Sequence, residues 1–521
     1  MMGTGGGAAA PSHLWEAFDR VADERPDSPA LVLADGVDSF LGLRDIARRA
    51  AAWLKVLGLD RGDIVALQLP KRRETYALWL ACLHRGCPYV FMDPRNPPSR
   101  NGSILARIQP RLLATTGSTV NPHGSTLRIA TAEEGGRWLD GLPPPSSAPP
   151  PANPHGLDPA YIMFTSGSTG EPKGAVIPHQ GVLSLMRWAH SRVARPQDAR
   201  FSNINPLHFD NAVFDLYGGL VNGAALVPVE TSLLANPAQW VRRLREGRAT
   251  VVFAVPTLFQ TLDRLRLLTP EKLPDVRVFI FGGEGFPPGP LADFHARFKD
   301  QAHLLNVYGP TETSCICSSL EIDEAALAAA GTGFPSLGRM HRDFDHMILD
   351  ENDEPVAQGK AGELWIGGAN VGLGYYKSSD ETSGRFRQDP RQSAYRSIWY
   401  RTGDLVREDE SGLLWFVGRV DNQVKIRGHR IELEEIDLAI EAIEGIKRAI
   451  TVVIAGDDGA ELRVAFSAER AVPLDEVRDH CADRLPPYMQ PARLTQVDTL
   501  PQNANGKIDR KAIARLLQDA P

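Results

Sequence analysis

Residues 165–173 form a loop rich in glycine and hydroxyl side chains, Thr165-Ser-Gly-Ser-Thr-Gly-Glu-Pro-Lys173. The loop follows an apolar run, Tyr161–Phe164, that predicts a buried strand. Glycines let a backbone approach a phosphate closely, N–H and O–H groups donate to it, and the lysine adds a positive charge. The spacing differs from the GxxxxGK[ST] of P-loop nucleotidases, which excludes that class. The loop therefore predicts a phosphate site, with an ordinary Ser/Thr/Gly surface turn as the alternative.

Six further segments match, in order, the motifs of one enzyme family. They are Gly282–Glu284, Asn306–Glu312, Gly362–Gly367, Tyr400–Asp404, Gly418–Glu432 and Asn505–Arg510. Together with the loop at 165–173, they resemble the adenylate-forming superfamily, whose members activate carboxylates with ATP. The chain is most similar to the amino-acid-activating adenylation domains of nonribosomal peptide assembly and to free-standing relatives such as D-alanine–carrier-protein ligase. The resemblance extends from about Trp15 to Leu517.

Composition narrows the class of protein. The 521 residues are too many for one hydrophobic core, and 43% hydrophobic with 23% charged residues is ordinary for a globular protein. A net charge of −7 gives no general attraction to nucleic acid or to an anionic membrane, and no apolar run approaches the ~18 residues that span a bilayer. Five cysteines without a zinc or disulfide spacing favour a reducing compartment. We expect a cytoplasmic protein that binds neither nucleic acid nor membrane.

Apolar runs alternate with helical patterns through most of the chain, which predicts an α/β large domain with mixed, mostly parallel sheets sandwiched by helices. The predicted strands are Ile64–Leu69, Tyr161–Phe164, Ala224–Val229, Val251–Val255 and Val276–Phe281. The proline-rich segment 143–154 predicts an exposed connector inside this domain, with a domain boundary as the alternative.

A small, mobile α+β domain is predicted from Asp421 onward. It contains a helix with Ile436, Ile440 and Ile443 on one face. Its other predicted elements are strands at 449–455 and 462–467 and helices near 474–485 and 509–517. The predicted organisation is a disordered tail at 1–12, a large domain at 13–420 that binds ATP and substrate, and a C-terminal lid at 421–521 that carries the catalytic lysine.

The resemblance implies that a substrate carboxylate attacks the α-phosphorus of ATP, with Mg²⁺ as cofactor, and pyrophosphate leaves. This nucleophile is ionised at neutral pH, so the reaction needs positioning and charge neutralisation rather than a general base. The residues implied to bind ATP are Thr165, Ser166, Gly167, Ser168, Thr169, Gly170 and Lys173 at the β- and γ-phosphates, Gly283, Glu284, Asn306 and Tyr308 at the adenine, Gly309 and Thr311 at the α-phosphate, and Asp404 and Arg419 at the ribose.

The implied catalytic residues are Lys507, Thr311 and Glu312, with Glu312 as the Mg²⁺ ligand. Asn-Gly before Lys507 is a turn signal, so a hairpin turn with a solvated lysine is the alternative for that residue. For Asp404 the alternative is a turn residue within Thr-Gly-Asp. A non-catalytic protein of the same fold is a further alternative, which the presence of Lys507, Glu312 and Asp404 disfavours.

Asp210 indicates the substrate class. In amino-acid-activating relatives, an aspartate at this place pairs with the substrate ammonium; an N-terminal helix cap is the alternative. Lys507 would also contact the substrate carboxylate. The other implied pocket residues are uncharged: Phe209, Asn211, Phe214, Phe253, Ile280, Gly282, Val307, Cys315 and Ile316. They predict a small neutral amino acid, with alanine the leading choice and serine, glycine or a small cyclic amino acid behind it; an acyl- or aryl-CoA ligase is the alternative activity.

The resemblance also implies a second half-reaction, in which the lid turns about a hinge at Asp421. The loop 423–428 then replaces Lys507 near the adenylate, and Gly428 lines a tunnel for a phosphopantetheine thiol. Such closure shields a hydrolysable intermediate from water. The sequence has no serine after paired glycines like that of the family's carriers, so we expect a separate carrier protein as partner.

Overall fold

The computed structural model describes residues 10–129, 138–192, 198–456, 459–502 and 508–518. The first nine residues of the predicted tail and the predicted catalytic Lys507 lie outside these ranges.

Helices and strands alternate along most of the chain. The helices are α1 (Leu14–Glu24), α2 (Phe40–Val56), α3 (Arg73–Arg85), α4 (Pro98–Ile108), α5 (His179–Arg192), α6 (Asn211–Leu220), α7 (Pro237–Glu246), α8 (Pro256–Arg264), α9 (Pro288–Phe298), α10 (Glu324–Ala330), α11 (Ser379–Arg385), α12 (Leu433–Glu441), α13 (Leu474–Arg484) and α14 (Arg510–Gln518). The strands are β1 (Pro29–Val32), β2 (Val37–Ser39), β3 (Val65–Gln68), β4 (Tyr89–Phe91), β5 (Leu112–Thr115), β6 (Ser125–Arg128), β7 (Pro159–Thr165), β8 (Lys173–Pro178), β9 (Arg200–Asn203), β10 (Ala225–Pro228), β11 (Val251–Ala254), β12 (Val278–Gly282), β13 (His303–Tyr308), β14 (Ser318–Glu321), β15 (Arg339–Met340), β16 (Phe344–Leu349), β17 (Gly362–Gly368), β18 (Phe386–Gln388), β19 (Ile398–Glu408), β20 (Leu414–Arg419), β21 (Gln423–Ile426), β22 (His429–Glu432), β23 (Ile446–Gly456), β24 (Gly459–Ala468) and β25 (Arg493–Val497).

Three sheets build the large domain. The first has the order β15-β14-β13-β12-β11-β9-β10-β1-β2, the second β6-β5-β3-β4-β7-β8, and the third β16-β17-β19-β18 with β20 beside β19. Strands β9 to β13 are parallel to one another and almost wholly buried, which explains their continuous apolar sequences. All five strands predicted here from apolar runs are confirmed, each within two residues of its predicted ends. The predicted α/β class with mixed and parallel sheets is confirmed.

The proline-rich segment 143–154 lies between β6 and β7, two strands of the same sheet. Arg49 of α2 donates to the carbonyls of Leu139, Leu142 and Pro143 and ties the start of this connector to the large domain. The segment is therefore a connector within the domain, as predicted, and not a domain boundary.

The lid has its own sheets and its own core. Strands β21 and β22 form a hairpin, and β23-β24-β25 form a three-stranded sheet. The predicted apolar face of α12 is confirmed, because Ile436 and Ile440 pack in one core with Val464 and Phe466 of β24. The helices and strands predicted for this region are also present. Within the described ranges, no helix is both long and apolar enough to cross a membrane.

We predict that Phe214→Ala destabilises the large domain. The Phe214 ring is fully buried, with ring centroids of Phe201 and Phe253 at 5.6 and 5.5 Å, so its removal leaves a cavity. The expected loss is about 3–5 kcal/mol in the free energy of unfolding, measured by chemical denaturation. Phe416→Ala, at a ring that is 47% exposed, is the matched control and should cost far less. Equal losses in the two variants would contradict the packing described.

Candidate active site

A cavity of about 330 Å³ lies between the large domain and the lid. Its large-domain wall comes from the carboxyl ends of the parallel strands β9, β11, β12 and β13, where ligands bind in open α/β sheets. Its lid wall comes from β21, β22 and the segment at Tyr488. The cavity therefore joins residues that lie far apart in the sequence.

Most predicted site residues line this cavity. From the predicted ATP site these are Thr165, Ser166, Gly283, Tyr308, Gly309, Thr311, Asp404 and Arg419. From the predicted substrate pocket they are Phe209, Asp210, Asn211, Phe253, Val307, Cys315 and Ile316, and Gly428 of the predicted thiol tunnel joins them.

Twelve predicted residues within the described ranges do not line the cavity. Eight of them are Gly167, Ser168, Thr169, Gly170, Lys173, Glu284, Glu312 and Asp421. The other four lie behind the cavity wall. Phe214 and Ile280 are buried, and Phe214 supports the cavity indirectly through the Phe253 ring. At Gly282, a Cβ would stand 2.3 Å from the carbonyl oxygen of Val307, so glycine allows close strand pairing there. The side-chain amide of Asn306 donates to the carbonyl of Ser336 at 2.8 Å. Each of these residues shapes the wall from behind.

The phosphate loop connects β7 to β8, whose end residues Thr165 and Lys173 are paired across the two strands. A Cβ at Gly167 would stand 2.0 Å from the carbonyl oxygen of Glu171, so the tight turn requires glycine at this position. The Lys173 amine lies 3.2 Å from the Ser168 hydroxyl and 3.5 Å from a carboxylate oxygen of Glu381. Thr169 also donates to Glu381. The loop thus holds the Thr169 hydroxyl and the Lys173 amine beside Glu381.

Asp404 lies in the middle of β19 and is not a turn residue. It is paired across the sheet with Arg419 of β20, whose guanidinium donates to it, and the Tyr308 hydroxyl donates to its other oxygen. The same guanidinium donates to both oxygens of Asp421, the predicted hinge, at 2.7 and 2.9 Å. Burial raises the pKa of Asp421, but the Arg419 and Arg385 bonds outweigh it and lower that pKa to about 2. A charge network therefore joins Asp421 to the cavity.

Asp210 precedes α6 but makes no side-chain capping bond to it, so the capping alternative is not the role seen. Instead its carboxylate accepts from the Thr311 hydroxyl at 2.6 Å. Among the described residues, no cationic group lies within ion-pair distance of this carboxylate. Burial raises the pKa of Asp210 because its charge is removed from water.

Glu312 is completely buried. The Tyr375 hydroxyl donates to it at 2.7 Å, and Arg430 of the lid donates to its two oxygens at 3.0 and 2.8 Å. Burial raises the pKa of Glu312, but Arg430 and Tyr375 outweigh it and lower that pKa to about 2. A single carboxylate is a suitable ligand for Mg²⁺ when phosphate oxygens complete the coordination. In this structure both of its oxygens accept from Arg430.

The loop at 423–428 faces the cavity. Gly428 has a φ of +78°, its N–H donates to Glu284 at 3.1 Å, and a Cβ there would stand 2.4 Å from the Val255 side chain. The His429 ring stacks on Tyr488 with centroids 3.9 Å apart.

Sequence reasoning assigned no role to several residues at this site, among them Arg430, Tyr375 and Tyr488, and it predicted Lys425 only as part of the loop 423–428. Arg430 and Lys425 do lie within the matched segment Gly418–Glu432. A signal for Arg430 exists in principle, because a buried carboxylate such as Glu312 requires a cation.

The sequence of this chain is similar to those of known proteins. The family model described as "AMP-binding enzyme" matches residues 18–376. The chain is 34% identical to a dimodular nonribosomal peptide synthase of Bacillus subtilis (strain 168), over 96% of this chain and 21% of that protein. It is 31% identical to tyrocidine synthase 1 of Brevibacillus parabrevis, over 96% of this chain and 44% of that protein. The chain therefore spans less than half the length of these relatives.

Solved structures share the whole fold. Holo-PA1221, described as a nonribosomal peptide synthetase protein containing adenylation and PCP domains, superposes with a TM-score of 0.84 at 26% identity, covering 97% of this chain and 84% of that chain. IdnL1 superposes with a TM-score of 0.81 at 28% identity, covering 95% of this chain and all of that one. The chain belongs to the AMP-binding enzyme family. It is an ATP-using, adenylating ligase of the type found in nonribosomal peptide synthetases.

We predict that Asp404→Asn weakens AMP binding at least tenfold, measured by isothermal titration calorimetry. An amide has only one accepting oxygen, so it cannot accept from Arg419, Tyr308 and a ribose together. Asp475→Asn, at a lid side chain that is 89% exposed, should bind AMP as the wild type does. Unchanged AMP affinity in Asp404→Asn would remove this carboxylate from the nucleotide site.

Proposed function

We propose that the chain activates a small neutral amino acid with ATP and then transfers the aminoacyl group to the phosphopantetheine thiol of a carrier protein. The observation that carries the proposal is the Asp210 carboxylate, which lines the cavity and has a hydroxyl as its only hydrogen-bond partner in the described chain.

An ionised carboxylate removed from water loses several kcal/mol of hydration unless a cation compensates. The ammonium of an amino acid supplies that cation, and Asp210 would then hold the substrate with its carboxylate toward Thr311. A fatty or aromatic acid offers no such group. The pairing therefore favours amino acids over the substrates of acyl- or aryl-CoA ligases.

The neighbouring cavity wall accommodates a small side chain. Phe253, Val307 and Ile316 supply apolar surface, Cys315 is buried beside them, and Asn211 adds a neutral amide. Burial raises the pKa of the Cys315 thiol, so this group stays neutral. The wall resembles that expected for alanine, with serine, glycine or a small cyclic amino acid as the next choices.

In the first half-reaction, an oxygen of the substrate carboxylate bonds to the α-phosphorus as the bond to pyrophosphate breaks. Thr165, Ser166, the backbone at 167–170 and Lys173 would hold the departing phosphates, and Asp404 with Arg419 the ribose. Glu312 would hold Mg²⁺, which would supply positive charge to the phosphates. Lys507 is proposed as the second cation at the reacting carboxylate.

In the second half-reaction, the thiol sulfur attacks the carbonyl carbon of the adenylate, the thiol proton leaves and AMP departs. The position of Gly428 against Val255 and Glu284 supports a lid arrangement suited to this step. PA1221, which is similar to this chain, contains a PCP domain beside its adenylation domain, and this supports a carrier protein as partner.

The direct test is an ATP–pyrophosphate exchange assay with a panel of D- and L-amino acids, in which fatty and aromatic acids are also included. A small neutral amino acid should give the highest exchange. Preference for an acid without an amino group would instead indicate an acyl- or aryl-CoA ligase.

We predict that Asp210→Asn weakens apparent amino acid binding by about 2–5 kcal/mol, the scale for breaking a desolvated charge pair. The KM for the amino acid in the exchange assay measures the effect. The KM for ATP, determined on the same protein, is the internal control and should change little. Unaltered amino acid activation would show that Asp210 does not bind the ammonium.

We predict that Gly428→Leu separates the two half-reactions. A leucine would clash with Val255 and is strained at a φ of +78°, so thioester formation should fall sharply while pyrophosphate exchange survives. Gly102→Leu is the matched control, because a Cβ at this position meets no atom within 4 Å. Parallel loss of both half-reactions in Gly428→Leu would contradict the proposed tunnel.

A further inference from the structure

We propose that Lys71 and Asp215, two buried residues that do not line the cavity, are positioning residues for the amino acid pocket, the part of the cavity beside Asp210. They fix the large-domain wall of this pocket and so set the affinity for the amino acid without touching it. The inference rests on the proposed function, because it takes Asp210 as the residue that binds the substrate ammonium.

Lys71 lies just before α3 and is 2% exposed. Its ammonium donates to the backbone carbonyls of Asn203 and Ile204, at 2.7 Å to each. Asn203 is the last residue of β9, and Ile204 lines the cavity. One ammonium therefore holds the chain at the place where β9 ends and the cavity wall begins.

Asp215 lies on α6 and is 1% exposed. Its Oδ2 accepts from the side-chain amides of Asn203 at 3.2 Å and Asn205 at 3.1 Å. The Asn205 amide also donates to the backbone carbonyl of Phe253, near the end of β11, at 2.9 Å. The Tyr76 hydroxyl of α3 donates to Asn203 at 2.9 Å. The Asp215 carboxylate thus ties α6 to the ends of β9 and β11.

The elements that this network joins form the wall of the amino acid pocket. Asn205 and Phe253 line the cavity, and so does Asn211, which lies one turn before Asp215 on the same helix. Asp210 immediately precedes α6, so the place of this helix decides where the Asp210 carboxylate stands. Displacement of α6 from β9 would therefore move the group that binds the ammonium.

The charges of the network are better explained by geometry than by stability. Burial lowers the pKa of Lys71, and the Asp215 carboxylate opposes that shift. Burial raises the pKa of Asp215, and its hydrogen bonds to the two asparagine amides and the charge of Lys71 oppose it. Replacing two buried opposite charges together is often neutral for stability. Directional bonds to a strand end and to a helix, in contrast, give the wall one defined arrangement.

The test is a double variant, Lys71→Met with Asp215→Asn, which removes both charges together and keeps an oxygen that can accept from the asparagine amides. The probe is the amino acid that gives the highest exchange in the panel described above. We expect the KM for this amino acid in the exchange assay to rise at least fivefold. The KM for ATP and the midpoint of urea unfolding should stay close to those of the wild type.

Lys299→Met with Glu324→Gln is the matched control, because these side chains form an ion pair that is 47% and 83% exposed. The control variant should keep the wild-type KM for both substrates. A purely structural role of Lys71 and Asp215 would give a different result. It would lower the urea midpoint or the apparent kcat, since less of the protein would be folded, and leave the KM for the amino acid unchanged.

That result, an equal rise in both KM values, or a double variant that does not fold would each overturn the inference. Wild-type exchange with amino acids would leave the proposed function standing in all three cases. A wild type that prefers an acid without an amino group would overturn the proposed function itself.

Discussion

A buried carboxylate needs a cation, and Glu312 receives its cation from the lid. The Arg430 guanidinium neutralises Glu312 where Tyr375 also donates, and around this contact the lid lies against the phosphate loop. Breaking one side of such a pair costs about 3–5 kcal/mol when no other charge replaces it. The contact between the lid and the large domain at this place therefore depends on the Arg430–Glu312 pair.

A second charge network lies at the start of the lid. Arg419 bonds both Asp404, which faces the cavity, and Asp421, where the lid begins. Arg385 donates at 2.9 Å to Oδ2 of Asp421, the oxygen that also accepts from Arg419. Charged groups of α11 and β20 therefore hold Asp421 at the start of the lid.

Local sequence patterns were sufficient to predict the helices and strands, but they did not predict which side chains contact one another. Buried strands such as β11 and β12 are continuous apolar runs, so their sequences alone predict them. Phe214 and Asn306 lie behind the cavity because strand register and helix rotation decide which way a side chain points, and one sequence does not encode these directly. Arg430 was missed because its partner Glu312 is 118 residues away. Asp210 was predicted from a motif as a substrate-binding residue. Only the structure shows that its side chain does not cap α6.

The most direct measurement is the distance between spin labels on the two domains. Arg242→Cys on α7 and Arg478→Cys on α13 give exposed label sites, and all five native cysteines are buried. If Mg²⁺ takes the place of Arg430 at Glu312, as the proposed function requires, the nucleotide-free chain gives one main distance, and saturating magnesium pyrophosphate shifts the population to another. An identical distance distribution with and without saturating magnesium pyrophosphate would contradict the coupling between the lid and Glu312.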